Sequence, residues 1–153
     1  MTIPAGPYLP TSPVVAVAWL RSRAGIPAGS VATKLPRELA AWAELGFIQA
    51  TIVPGSVDDD VRKRSPLVQI DAWAHSPEGV KPPVGKAARL AELVLKATET
   101  DAQLYGRAID LGPNYLPARV LSAHSPTEPS EVEGDPSGFA RVTFDFVLDW
   151  VRI

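Results

Sequence analysis

"SPLVQIDAWAHSPEGVKPPVGKAARLAELVLKA", residues 65–97, reads as a strand, a proline-bearing loop and an amphipathic helix. In "PLVQIDAWA" the alternation puts Val68, Ile70, Ala72 and Ala74 on one face and Gln69 and Asp71 on the other, the period of a half-buried strand. Pro66 stands at the first residue of this pattern, where a strand tolerates a missing N–H. Beyond the loop, Ala87, Leu90, Ala91, Val94 and Ala97 form one apolar stripe at helical spacing. Arg89, Glu92, Lys96 and Glu99 take the opposite face, with Glu92 and Lys96 placed for a favourable i, i+4 pair. Alanines within the stripe let such a helix lie close on a sheet. The best-patterned part of the chain carries no nucleophile and no metal cluster.

Working outward, "TSPVVAVAWLRSRAG" predicts a first helix with Ser12 as N-cap and Pro13 at the first helical position. Val14, Val17 and Leu20 share a face that Val15 and Trp19 broaden; Arg21 and Arg23 suit the last turn and Gly25 stops it. "SVATKLP" predicts a short strand ended by Pro36, and "GFIQATIVPG" a clearer one, with Ile48, Ala50 and Ile52 on one face and Pro54–Gly55 as its end. "SVDDDVRKR" then reads as a charged loop. After the second helix, residues 107–111 fit either a short strand or a loop, "ARVLSAH" a strand, and "SPTEPSEVEGDPSG" a polar loop. "FARVTFDFVLDWVRI" is the longest alternation, with Val142, Phe144, Phe146, Leu148 and Trp150 on one face and Arg141, Thr143, Asp145 and Asp149 on the other. At about 3.3 Å per residue it would span roughly 50 Å, so it must bend or project beyond its sheet.

The order is therefore α-β-β-β-α-β-β. One-sided strands argue for an α+β two-layer domain, a mainly antiparallel four- to five-stranded sheet with two helices packed on one face. A doubly wound parallel sheet would need near-continuous apolar strands and more helices. Residues 1–153 are expected to form one domain with a proline-rich N-terminal arm over residues 1–12.

Composition excludes several classes of function. Hydrophobic residues at 46% and charged ones at 21% are those of a globular chain. A net charge of −2, from 15 basic and 17 acidic residues, offers no global polycation for nucleic acid or anionic lipid. With no cysteine there is neither a disulfide framework nor a thiolate metal site. "MTIPAGPYLPTSP" lacks the basic and apolar regions of a signal peptide, and no apolar run is long enough for a transmembrane helix, so a soluble protein made in a cytoplasm is expected. Sixteen prolines, about twice the usual share, cluster in residues 4–13, 77–83 and 113–136 and mark connectors.

The chemistry-bearing residues are few. His75 and His124 are the only histidines, each at a strand–loop junction and without metal-ligand spacing, so solvated histidines are favoured. Asp58, Asp59 and Asp60 lack the alternation, glycine and distal glutamate of a calcium loop, and Arg62, Lys63 and Arg64 compete for their charge. Ser122 and Ser125 flank His124, but "SAHSP" is no nucleophile elbow and shows no oriented acid. No phosphate loop is present, and no exposed aromatic–basic interleaving for RNA. No catalytic residue, cofactor or metal is expected. Leu67 and Trp73, with Val147, Val151 and Ile153, are apolar on the strand faces turned away from the helices; shielding by loops is the bland reading and a subunit interface the sharper one. The apolar end "LDWVRI" implies a terminus that is tied down, with a neighbouring subunit as one anchor.

The run from "VATKLPRELAAWAELGFIQATIVPG" through "SPLVQIDAWAHS" and "GKAARLAELVLKA" to "FARVTFDFVLDWVRI" resembles the tail terminator proteins of long-tailed bacteriophages, especially those with actinobacterial hosts. The likeness covers nearly the whole chain and rests most on "VQIDAWA…KAARLAELV"; the long connection at residues 102–116 departs from the compact form. The resemblance implies a structural virion protein rather than an enzyme. It would form a homohexameric ring on the last ring of tail-tube protein, stop tube growth and present the surface for the head-completion (stopper) protein. Such a ring sits at the tail–neck junction, assembled in the host cytoplasm, with DNA passing through but no sequence-specific binding and no membrane partner. Asp58, Asp59, Asp60, Arg62, Lys63 and Arg64 are its candidate tube- or pore-facing residues, and Leu67, Trp73, Val147, Val151 and Ile153 its candidate subunit contacts. Two alternatives stand beside it. One is another neck protein, a head–tail adaptor or stopper; the other is a small hydrolase using His75, His124 and a loop carboxylate, which requires the histidines to meet.

Overall fold

The two cleanest alternations in the sequence lie side by side at the centre of the sheet. The computed structural model describes residues 2, 5–76, 83–100, 105–124, 126–133 and 138–153. Its elements run α1 (Ser12–Arg21), β1 (Val31–Ala32), β2 (Phe47–Asp58), β3 (Lys63–His75), α2 (Val84–Thr100), β4 (Ala108–Ile109), β5 (Ala118–His124), β6 (Ser130–Val132) and β7 (Phe139–Arg152), with single 3-10 turns at Ala28–Ser30 and Leu39–Ala41. The sheet order is β1-β2-β3-β7-β5-β4, with β6 also on β7. Val68, Ile70, Ala72 and Ala74 of β3, and Val142, Phe144, Phe146, Leu148 and Trp150 of β7, are all buried, as their period requires. Both helices pack on that same face. Ala87, Leu90, Ala91, Val94 and Ala97 of α2 join Val15, Ala16, Trp19 and Leu20 of α1 in one hydrophobic cluster.

The α+β class stands, but the sheet is larger and more mixed than a four- to five-stranded antiparallel one. It is curled and seven-stranded. "SVATKLP" keeps only Val31–Ala32 as strand, and this runs parallel to β2, while every other registered pairing is antiparallel. The two added strands, β4 and β6, are two and three residues long. They owe their extended form to a neighbour's free edge, not to a pattern of their own. In β6 it is the proline-rich segment read as loop that supplies the strand, pairing Ser130 with Thr143 and Val132 with Arg141.

β7 neither hangs free nor kinks away, because it is flanked along its length. β3 follows one edge from Phe139 to Trp150, while β6 and then β5 follow the other. Between them, Thr127 holds the edge by exchanging two hydrogen bonds with the Asp145 backbone, its N–H to the Asp145 O (2.9 Å) and its Oγ1 accepting the Asp145 N–H (2.8 Å). The chain end is tied down within its own fold, since the Ile153 N–H reaches Pro117 O (3.2 Å) and the Arg152 guanidinium reaches Pro10 O (3.2–3.3 Å). Tyr8 of the proline-rich arm is docked as well, forming a bridge with Tyr115.

Local corrections follow from tertiary pairing. Thr11, not Ser12, is the N-cap of α1, and it makes no side-chain cap bond; the Ser12 hydroxyl instead accepts the Trp150 indole N–H at 3.0 Å. The buried face of α1 is centred on Val15, Ala16, Trp19 and Leu20, with Val14 and Val17 only half-buried. Pro54 and Gly55 do not end β2. They form a β-bulge between the pairs Val53–Leu67 and Ser56–Ser65, after which the two strands continue as a projecting ribbon to Asp58–Lys63. Pro66 thus lies inside β3, across from the bulge, where the ladder is already interrupted. A Cβ on Gly55 would sit 1.9 Å from Ser65 O. Gly55→Ala should therefore force the bulge apart, cost about 1–3 kcal/mol by the scale of local backbone strain and speed amide exchange in residues 56–65, all readable by urea melts with hydrogen exchange. A stability equal to wild type would show that the bulge is not held by this approach.

Candidate functional site

The face of the sheet away from the helices carries the candidate residues in cross-strand rows. Segment 39–46 covers its end at His75. There Trp42, 4% exposed, packs on Phe47 and Phe139 with ring centroids 6.5 and 6.0 Å apart, and Phe139 packs on His75 at 4.6 Å. Lys86 at the start of α2 fastens this segment by donating to the carbonyls of Ala43 (3.1 Å) and Glu44. Trp73 lies in the next row, capped by the Arg141 guanidinium 4.9 Å from its ring centre, and its indole N–H donates to Gln49 (3.1 Å).

The two histidines do not meet. His75 pairs with Phe139 and His124 with Val147, on opposite sides of β7 and eight residues apart along it. That separation is about 26 Å along the strand, so a two-histidine hydrolase has no site here. His124 meets an acid instead, which overturns the expectation that none is oriented toward it. Its Nε2 lies 2.8 Å from Asp149 Oδ2; the Ser122 hydroxyl donates to the same oxygen at 2.8 Å, and the Ser65 hydroxyl to Oδ1 at 2.5 Å. One carboxylate thereby clasps β3, β7 and β5. The sequence shows Asp149 only as an outward residue of the last strand, and its partners become visible once the strand order β3-β7-β5 is known.

This cluster is not a catalytic triad. Nucleophilic attack by serine needs its hydroxyl proton directed at the imidazole, whereas both hydroxyls here are directed at the carboxylate. Two grooves among the described residues lie elsewhere, one of about 690 Å³ along α1 between Val14, Val17, Leu111 and Tyr115 and another of about 460 Å³ against α2. Ser125 lies outside the described residues. Among the described residues no group of three His, Asp or Glu side chains is placed to hold a metal ion.

Burial alone would raise the pKa of Asp149, but the hydrogen bonds from Ser65, Ser122 and His124, and the charge of the imidazole, hold it below the ordinary aspartate value. A depressed carboxylate pKa gives stability that is complete above the unfolded-state value, about 3.9, and lost as pH falls through the folded-state value. Urea midpoints should therefore drop more steeply below about pH 4 in the wild type than in Asp149→Asn. Parallel curves for the two would show that the clasp does not favour the ionised form.

The charged stretch is not a loop but a ribbon with a tight tip. Only residues 59–62 turn; Asp58 and Lys63 are a registered cross-strand pair. Asp58 Oδ1 closes the turn by accepting the N–H groups of Asp60 (3.0 Å) and Val61 (3.4 Å), and Arg62 takes the left-handed conformation at φ 54°. Asp59 and Asp60 are exposed. Arg64 turns toward the core side, its guanidinium 5.3 Å from the Trp150 ring centre. The ribbon also carries Val53, Val57 and Val61, exposed by 45%, 50% and 62%. Sequence reasoning passed over these three, although their spacing of four across a charged segment was the available signal.

Of the five apolar residues read as subunit contacts, the fold brings Leu67 and Val147 together as direct partners, with Val53 beside Leu67 in the same row. Val151 faces Arg119, and Ile153, 55% exposed, lies at the chain end. Trp73 is separate, beyond Gln69 and Asp71 on its own strand. No protein-family model matches the chain, and no curated protein matches its sequence.

Proposed function

We propose that this chain is a ring-forming structural subunit of the phage tail terminator type, capping a tail tube and offering the attachment surface for a stopper protein. The observation that carries the reading is the ribbon over residues 53–66. It projects exposed valines and a segregated charge pattern from a root locked to three strands by Asp149. A stiff, amphipathic projection suits recognition of a repeating protein surface, because little ordering entropy remains to be lost on docking. The resemblance of the patterned segments and of their order along the chain supports the same class. The partners proposed are other copies of the chain in a six-membered ring, the tail-tube protein and the head-completion protein. DNA passes through the ring without base-specific contacts, the location is the tail–neck junction of the virion, and no reaction is catalysed.

A closed ring requires a heterologous interface, one patch meeting a different one on the next subunit. The row Val53–Leu67–Val147 and the end residues Val151 and Ile153 are the apolar part of that interface, and residues 58–64 set register on the tube. Light scattering over a concentration series, with negative-stain images of the protein and of assembled tails, tests this. Six-fold rings at the end of the tube are expected; a dimer in assembled tails, or no ring there, overturns the reading. A stopper or adaptor would instead sit on the head side. Reversing Arg62, Lys63 and Arg64 to glutamate should lower stability by about 1–2 kcal/mol, chiefly through the cation–π contact of half-buried Arg64 with the buried Trp150 ring, yet leave overlong tubes or headless tails. Normal particles from that variant would remove the register role.

A further inference from the structure

Two opposite flanks of the molecule carry opposite charge. Beyond β7 lies β6, which among the described residues pairs with β7 alone, so its outer edge is open. Between His124 and Arg141 the chain holds four acids and no lysine or arginine. Three of those acids, Glu128, Glu131 and Glu133, are exposed and make no ion pair with another described residue. Pro126 and Pro129 stand exposed beside them, and the β6 register and Thr127 fix the segment to β7. This flank is a held, acidic edge.

The β2 flank is hollow and basic. There the groove of about 460 Å³ against α2 is lined by Leu45, Leu90 and Leu93, and Leu45, two residues ahead of β2, is 58% exposed. Lys86, Arg89 and Lys96 supply the charge of the lining, against Glu92 as its one acid. The two bonds of Lys86 go to the neutral carbonyls of Ala43 and Glu44, which leave its positive charge in place. Arg89 is exposed and forms no ion pair among the described residues.

We infer that the groove against α2 receives the acidic edge, residues 126–133, of a second copy of this chain. Glu128, Glu131 and Glu133 face the groove's cations, and Pro126 and Pro129 cover Leu45. Charge selects this occupant over the ribbon. The ribbon sets Asp58, Asp59 and Asp60 against Arg62, Lys63 and Arg64 and has no net charge to match a basic groove, whereas the edge is acidic throughout. Edge and groove belong to different elements on opposite flanks, so the contact is heterologous and propagates from copy to copy. It rests on the ring-forming reading above and adds a second contact between neighbours, on surfaces which that reading leaves bare. Complementary charges set register and partner choice more than raw affinity, which leaves the affinity to Leu45 and the prolines.

Mixing two reversed variants isolates the contact. Glu131→Lys/Glu133→Lys carries a basic edge and a basic groove; Arg89→Glu/Lys96→Glu carries an acidic edge and an acidic groove. Self-association of the full chain, followed by sedimentation velocity over a concentration series at low salt, should weaken about tenfold or more in each variant alone. It should return in the equimolar mixture, where every edge again meets an opposite groove. Leu45→Ser changes an exposed side chain, so the fold should tolerate it, and association should weaken about fivefold. Wild-type association should also weaken as salt rises to about 1 M, where the screening length is about 3 Å. Thermal melts of each variant check that it is folded. A mixture no better than its parts, any one of these variants assembling like wild type, or a wild type monomeric throughout would overturn the inference. So would salt-sensitive binding of duplex DNA that is lost in Arg89→Glu/Lys96→Glu while Glu131→Lys/Glu133→Lys still self-associates, which would assign the basic flank to phosphate. Six-membered rings that form equally in both reversed variants would refute this contact and leave the ring reading intact. Rescue on mixing, with images showing no ring, would do the reverse.

Discussion

Phe146→Ala is expected to cost about 3–5 kcal/mol, the range for removing a fully buried phenylalanine. Phe146 has no exposed surface, and its ring packs 5.7 Å from that of Trp19 and 6.3 Å from that of Phe144. It therefore joins α1 to the central strand, and alanine would leave a cavity bounded by two large aromatics that cannot both collapse into it. Chemical denaturation should show a lower midpoint at an unchanged slope. Val147→Ala, one residue on and facing the other side, is the control. That side chain is only half-buried, so its loss should cost about 1 kcal/mol or less by area. A Phe146→Ala cost near that of Val147→Ala would mean that the two faces of β7 are not as unequal as the structure places them.

Asp149→Ala should be the next most damaging change, at about 2–3 kcal/mol, because a carboxylate accepting three hydrogen bonds is removed and its donors lose a charged partner. Asp149 is 8% exposed, so water replaces those bonds only in part. Asp149→Asn should cost less, since a neutral amide oxygen still accepts but more weakly. The loss should also be local. Ser65 lies at the root of the ribbon, so amide exchange should accelerate in residues 56–65 more than in β3 beyond Leu67. Uniform acceleration along the sheet would make Asp149 an ordinary stabilising residue rather than the fastening of the ribbon.

What was legible in the sequence is whatever depends on a single element's own period. The inward faces of β3 and β7 and the stripe of α2 follow from spacings of two and of three to four, and all are buried as expected. The misses depend on what lies alongside. β4 and β6 are too short to have a period; a neighbour's unpaired edge extends them. Pro54–Gly55 carries the signature of a strand end, and only the partner strand converts it into a bulge. Ser12 is a good capping residue whose hydroxyl a tryptophan from the far end of the chain takes first. The Asp149 cluster draws on three strands, so it could be read only with the strand order in hand. For the same reason "SVDDDVRKR" reads as a solvated run until the register of β2 on β3 shows a ribbon.

The second edge of β7 is served by two separately registered segments, and the join between them holds slack. From His124 opposite Val147 to Ser130 opposite Thr143, five residues (125–129) cover what β7 covers in three (144–146). Among its described residues, Thr127 holds it to β7 through the two bonds to Asp145. A length change there alters neither register, because β5 and β6 each find β7 independently and closing a slightly longer surface loop costs only a fraction of a kcal/mol. That join is where evolution can lengthen the chain, or an experimenter can splice in a fluorophore or an epitope, without shifting a single core side chain to the wrong face.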